Sequence, residues 1–175
     1  MNVSTNPNSI DQFEDSAKSM INAARATKNV VPLANSAKDE GRQRHWSLTL
    51  ETGTLQIDLE KEGVLHKIGV GMRLTSEMHI EDGAGIVFAG HLAEGGKLIA
   101  PKSTVVIEKE GLVEGEIEAK RLYVLGTVKA PVKAHDALVV VGTVDAGENG
   151  LIEHGGIECS LNATVNGRTK KIRVA

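Results

Sequence analysis

Leu122-Tyr-Val124-Leu-Gly126-Thr-Val128-Lys-Ala130-Pro-Val132 and Leu138-Val-Val140-Val-Gly142-Thr-Val144-Asp-Ala146-Gly147 are two copies of one short pattern. Each reads apolar-x-apolar-x-Gly-x-apolar-x-small, a two-residue alternation that passes through a glycine corner. The Gly-x-Val landmark stands at Gly111, Gly126 and Gly142, at steps of 126 − 111 = 15 and 142 − 126 = 16. Self-similarity at a fixed short period marks a solenoid, in which each repeat buries its apolar side against its neighbours. So short a repeat has no room for a helix pair, but it suits one coil of brief strands. The expectation is an all-β parallel β-helix whose stacked core holds Ile107, Val113, Ile117, Leu122, Val124, Val128, Val132, Leu138, Val140 and Val144.

Composition agrees. Aromatic residues make up only 2% of 175 residues while Gly numbers 19, so the core is built from aliphatic side chains rather than rings. Glycine is expected where the backbone turns at positive φ. A net charge of −3 argues against a general nucleic-acid binder, which carries a basic face. The single cysteine, Cys159, excludes an internal disulfide framework and suits a reducing compartment. No apolar run reaches the ~18 residues of a membrane-spanning helix. The start, Met1-Asn-Val-Ser-Thr-Asn-Pro-Asn8, lacks the regions of a signal peptide, so a cytoplasmic protein is expected.

Upstream of the repeats the pattern changes. Residues 1–8 read as disordered. Ser9-Ile-Asp-Gln12 has capping-box spacing and opens a helix over 9–28, with Ile10, Phe13, Ala17, Met20 and Ile21 on one face as a candidate partner-binding surface. A linker follows to residue 44. Trp46, Leu48 and Leu50, then Leu55, Ile57 and Leu59, alternate about a turn near Thr52-Gly53, which predicts a hairpin that caps the solenoid or forms its first irregular coil. Gly95-Gly96 and Pro101 mark a coil with extra residues, and Gly147-Glu-Asn-Gly150 marks a turn.

Ile107-Glu-Lys-Glu-Gly-Leu-Val-Glu-Gly-Glu-Ile-Glu-Ala119, followed by the two units quoted first, resembles the bactofilin family of bacterial cytoskeletal proteins over residues 78–168. The resemblance implies a right-handed parallel β-helix that polymerises without nucleotide. It also implies a scaffold beneath the membrane in cell shape and envelope assembly. Unpaired backbone at the end coils supports end-to-end assembly independently. Leu161, Val165 and Ile172 are the candidate self-association residues at the C-terminal end.

Chemistry is sparse. His45, His66, His79, His91, His135 and His154 contain no HExxH pair, and they read as solvated or turn residues. Glu114, Glu116 and Glu118 alternate with Val113, Gly115 and Ile117 and point outward, among enough lysine and arginine to form a mixed surface. Cys159 alternates with apolar neighbours as a small buried hydrophobe. No catalytic, metal-binding or cofactor-binding residue is assigned, and no cofactor is expected.

The expected division is an N-terminal extension over 1–44, a hairpin or irregular coils over 45–77, the solenoid over 78–168 and a basic tail over 169–175. The leading function is a non-enzymatic cytoskeletal scaffold whose partners are itself and envelope or cell-shape proteins. No specific nucleic acid is among them, and membrane contact is at most peripheral, at the inner face. The alternatives are a monomeric or dimeric adaptor recruiting a partner through its N-terminal helix, and a β-helix enzyme acting on polysaccharide.

Overall fold

The computed structural model describes residues 31–32, 45–81 and 83–173. The expected helix over 9–28 and its face of Ile10, Phe13, Ala17, Met20 and Ile21 lie outside the described residues. β1 (Val31–Pro32) is a two-residue strand, and β2 (His45–Leu50) and β3 (Gly53–Asp58) form an antiparallel hairpin with Leu50 opposite Gly53. From Val64 the chain winds into a parallel β-solenoid of about 6 turns. The first coil comprises β4 (Val64–Ile68), β5 (Arg73–Leu74) and β6 (Glu77–His79). The second runs through β7 (Gly85–Phe88), β8 (His91–Leu92) and the first half of β9 (Lys97–Ile107). β9 bends into the third coil, which continues through β10 (Leu112–Val113) into β11 (Glu116–Val124). β11 in turn bends into the fourth, followed by β12 (Thr127–Val128) and β13 (Val132–Val140). β13 opens the fifth, completed by β14 (Thr143–Asp145) and β15 (Leu151–His154). The sixth is β16 (Ile157–Cys159), β17 (Thr164–Asn166) and β18 (Arg168–Lys171).

Each coil thus has three sides. Face one stacks β4, β7, the second halves of β9, β11 and β13, and β16. Face two stacks the short strands β5, β8, β10, β12, β14 and β17. Face three stacks β6, the first halves of β9, β11 and β13, then β15 and β18. Alternation sends every second side chain inward, so identical positions form columns along the axis. On face one Ile68, Phe88, Ile107, Val124 and Val140 make such a column, and on face two Leu74, Leu92, Val113, Val128 and Val144 make another. All ten core residues read from the sequence belong to this interior. Each fully buried aliphatic side chain contributes about 1.5–3 kcal/mol relative to an exposed one.

Coil length varies more than the repeats suggest. Val124 pairs with Val140, 140 − 124 = 16 residues on, but Phe88 pairs with Ile107, 107 − 88 = 19 residues on. The extra residues sit at corners. Residues 101–103 separate Ala100 from Thr104 where only Lys120 separates Ala119 from Arg121. Gly147, at φ 75°, opens the last wide corner.

The reason for the landmark glycines differs from the expectation of positive φ. Gly111, Gly126 and Gly142 are not among the residues with φ in the left-handed region. A Cβ on Gly126 would collide with the carbonyls of Glu108 and Gly111, and one on Gly142 with those of Gly126 and Leu125. These corners lie so close to the coil beneath that only a hydrogen fits.

Candidate self-association surfaces and the covered flank

The ends of the stack differ from its middle because, among the described residues, an end coil has another coil on one side only. Interior positions that are sealed in the central coils are only partly buried at Met72, Leu74, Met78 and Ile80 in the first coil. The same holds for Ile157, Cys159, Ala163 and Val165 in the last. Among the described residues the large exposed hydrophobics are Leu65, Val70 and Leu161, all in the first or last coil. Leu161 is 80% exposed in the turn after β16, and Val165 ends the face-two column. Ile172 follows β18, and its N–H donates to the His154 carbonyl at 2.8 Å. Leu65 and Val70 were not singled out from the sequence. Val70 lies in Gly69-Val70-Gly71, where glycine on both sides was a turn signal that leaves its side chain outside the stack.

The flank is closed by a different device. On face one the outward column holds Val87, Val106, Tyr123 and Val139, all buried. They form a second apolar cluster with Leu48, Leu50, Ile57 and Val64, against which Trp46, Leu55 and Leu59 pack. The hairpin therefore lies along the flank and forms no coil of its own, and only its tip meets an end of the stack. It leaves the first coil at Val64, and its tip reaches the sixth, where Glu51 N–H donates to the Cys159 carbonyl at 3.1 Å. Five steps between coils span ~24 Å and a six-residue strand ~20 Å, so the hairpin length matches the stack.

Its base is held by Glu62. That carboxylate accepts from Thr104 Oγ1 at 2.6 Å, from Arg121 at 2.9 Å and from Tyr123 Oη at 3.4 Å, joining the loop before β4 to two other coils. Glu62 beside Arg121 raises the guanidinium further above its ordinary value. Burial, with Glu62 adding to it, pushes the Tyr123 phenol up. Beside the hairpin a shallow groove is lined by Trp46, Leu48, Leu125 and the corner Glu108-Lys109-Glu110.

Polar side chains on the other faces are mostly spent on one another. On face three Glu118, Lys133, Glu153 and Lys170 share a column. Glu118 meets Lys133 at 2.9 Å and Glu153 meets Lys170 at 2.8 Å. Glu116 meets Lys97 at 2.8 Å, and Glu114 meets His91 Nε2 at 2.7 Å. The hydrogen bond from Lys133, with help from His135, holds Glu118 below the usual carboxylate range. These acids are partners of basic side chains, not a pair facing each other across a cleft as glycoside hydrolysis requires. Among the described residues no three His, Cys, Asp or Glu side chains converge to hold a metal ion, and no helix is long and apolar enough to cross a membrane.

The histidines are less uniform than expected. His79 pairs with Glu77 at 2.9 Å and His135 with Glu118 at 2.7 Å. His154 is 7% exposed and its Nδ1 has no hydrogen-bond partner. It occupies the inward column of Ala100, Ala119 and Ala134. Burial, then the Lys171 ammonium, pulls its pKa down. Cys159 is half-buried, and burial followed by the Glu51 carboxylate pushes its thiol up, away from reactivity.

No curated protein sequence and no solved structure matches the chain. The family model for bactofilins, described as polymer-forming cytoskeletal, matches residues 66–170. That interval covers the coils, from β4 of the first to β18 of the sixth. The chain belongs to the bactofilin family.

Proposed function

We propose that this protein assembles end to end into nucleotide-independent filaments and acts as a non-enzymatic scaffold in cell shape or envelope assembly. The observation that carries this reading is where the unsatisfied apolar surface lies. The flank that would invite sideways association is covered by the hairpin, while Leu65, Val70 and Leu161 are exposed in the terminal coils. Burying such surface against another copy is the favourable term in association. Leu161, Val165 and Ile172 are assigned to the C-terminal contact. For partners other than itself the reading assigns the N-terminal face of Ile10, Phe13, Ala17, Met20 and Ile21. The protein is placed in the cytoplasm, with at most peripheral contact at the inner face of the membrane.

The test is electron microscopy and sedimentation of purified protein without nucleotide or metal, beside Leu161→Arg and Val70→Arg. Both substitutions fall on exposed side chains, so their melting should stay close to that of the parent. Filaments from the parent that shorten or vanish in the variants support the scaffold. Uniform small particles from the parent across concentration and salt sink it and favour the adaptor reading.

A further inference from the structure

Along face one the carbonyls of Ile68, Phe88, Ile107, Val124 and Val140 form a column. Each accepts from an N–H of the next coil, donated in turn by Ala89, Glu108, Leu125, Val141 and Ser160 at 2.8–2.9 Å. Cys159 is the register partner of Val140 in the last coil. Backbone groups of successive strand residues point to opposite sides, and Ser160 N–H points back to the fifth coil. The Cys159 carbonyl therefore points off the end of the stack, to where the first N–H of a seventh coil would lie. It accepts the N–H of Glu51 instead, at 3.1 Å. The hairpin tip stands in for the start of a missing coil.

Covering an exposed strand edge is a general way to prevent another chain from pairing with it. Here the cover is confined to one point of the edge. Glu51 and Thr52 are exposed, and the apolar residues that hold the hairpin down lie further along its strands. Leu50, next to Glu51, is buried, so lifting the tip loosens at most that one apolar anchor while Leu48 and Ile57 stay docked. We propose that the hairpin tip is a stop on the C-terminal end: it occupies the pairing position that a strand of a second copy would take, so a copy adds there only when the tip lifts. This inference rests on the end-to-end reading above.

The single native cysteine supplies the test. One backbone hydrogen bond joins Glu51 to Cys159, and a disulfide forms where two Cα atoms stand within about 7 Å, so Glu51→Cys is oxidised onto Cys159 to lock the tip down, with loss of both free thiols as the check that the bond has formed. A second variant does the opposite. Glu51 follows β2 in a tight turn and is not a positive-φ residue, a position that admits proline. Glu51→Pro keeps the turn and removes the N–H.

Assembly is followed by light scattering and electron microscopy after transfer from a disassembling buffer, with melting of each sample as the check on folding. The oxidised Glu51→Cys protein should assemble at least about tenfold more slowly than its reduced form, because the lifted state is no longer populated. It should stop at particles no larger than dimers, and reductant should restore growth. Glu51→Pro should assemble faster than the parent. Equal rates for oxidised and reduced protein, with Glu51→Pro indistinguishable from the parent, overturn the stop while leaving end-to-end assembly standing. Small particles in every sample, the parent included, overturn both.

Discussion

Replacing Val140 with aspartate tests the register of the core directly. Val140 is fully buried in the face-one column, between Val124 and Cys159, with apolar side chains around it. Removing the valine forfeits about 1.5–3 kcal/mol of burial. The new carboxyl finds no partner, so burial raises its pKa by up to ~3–5 units, which corresponds to ~4–7 kcal/mol at a pH where the unfolded chain is ionised. The total, roughly 5–10 kcal/mol, is comparable to the whole stability of an ordinary domain, ~5–15 kcal/mol. Val140→Ala, which only leaves a cavity, should cost about 2 kcal/mol. The two variants also differ in pH dependence. An acid whose pKa is raised on folding is protonated in both states at low pH, where it carries no ionisation penalty. The penalty enters as pH rises past the unfolded value, about 3.9, and levels off above the folded one. Urea unfolding followed by circular dichroism at pH 4 and pH 8, each referred to the parent at the same pH, measures both effects. A Val140→Asp protein as stable as Val140→Ala, or with a deficit equal at the two pH values, would refute this placement of Val140.

Three further outcomes follow from the flank, the corners and the buried histidine. Glu62→Ala leaves Thr104, Arg121 and Tyr123 without their shared acceptor and should lower stability by about 1–3 kcal/mol, with faster proteolytic cleavage in the hairpin; unchanged cleavage argues against the clasp. Gly142→Ala drives a methyl into the carbonyls of Gly126 and Leu125 and should cost about 1–3 kcal/mol or more, whereas Gly69→Ala, which meets nothing, should melt within a few degrees of the parent. His154 has its pKa lowered on folding, so the unfolded chain binds the proton more readily and stability is lost as pH falls below 6.5. His154→Gln should flatten that part of the melting profile, and an identical slope in both proteins would exclude His154 as its source.

The coil interior was legible because its signal is local and repeated. Leu122-x-Val124 and Leu138-x-Val140 name inward columns outright, and the apolar alternation needs no long-range knowledge. The period was less so, because a corner can lengthen without disturbing the strands it joins. Phe88 and Ile107 are in register across residues 101–103, whose count the stacked strands do not constrain. The docking site of the hairpin left a trace that alternation alone does not use. Val105-Val106-Ile107, Leu122-Tyr123-Val124 and Leu138-Val139-Val140 are continuous apolar runs, the mark of strands buried on both faces. Their middle residues had to be covered by something, and Leu48, Leu50 and Ile57 are that cover. His154 stayed hidden for a related reason. Its column partners Ala100, Ala119 and Ala134 are small and unevenly spaced in the chain, so nothing local marks position 154 as interior.

Growth along one axis demands that the sides of a unit be less adhesive than its ends, and each face meets that demand differently. Face three pairs its charges internally along the Glu118 column, and exposed pairs of this kind contribute little to binding a second surface. Face two presents Thr127, Thr143 and Thr164 in one outward column, hydroxyls that water satisfies. Leu112 on face two and Ile99 on face three are half-buried members of those outward columns, but only face one is apolar along its outside from the second coil to the fifth, and there the chain spends its own hairpin. A hairpin alone is marginally stable, so it is ordered by the flank as much as the flank is sealed by it. The same docking carries Glu51 to the Cys159 carbonyl at the edge of the last coil. In the end-to-end assembly proposed above, one element would suppress sideways association and also reach the end that grows, so loosening it should change the shape of an assembly as well as its rate of growth.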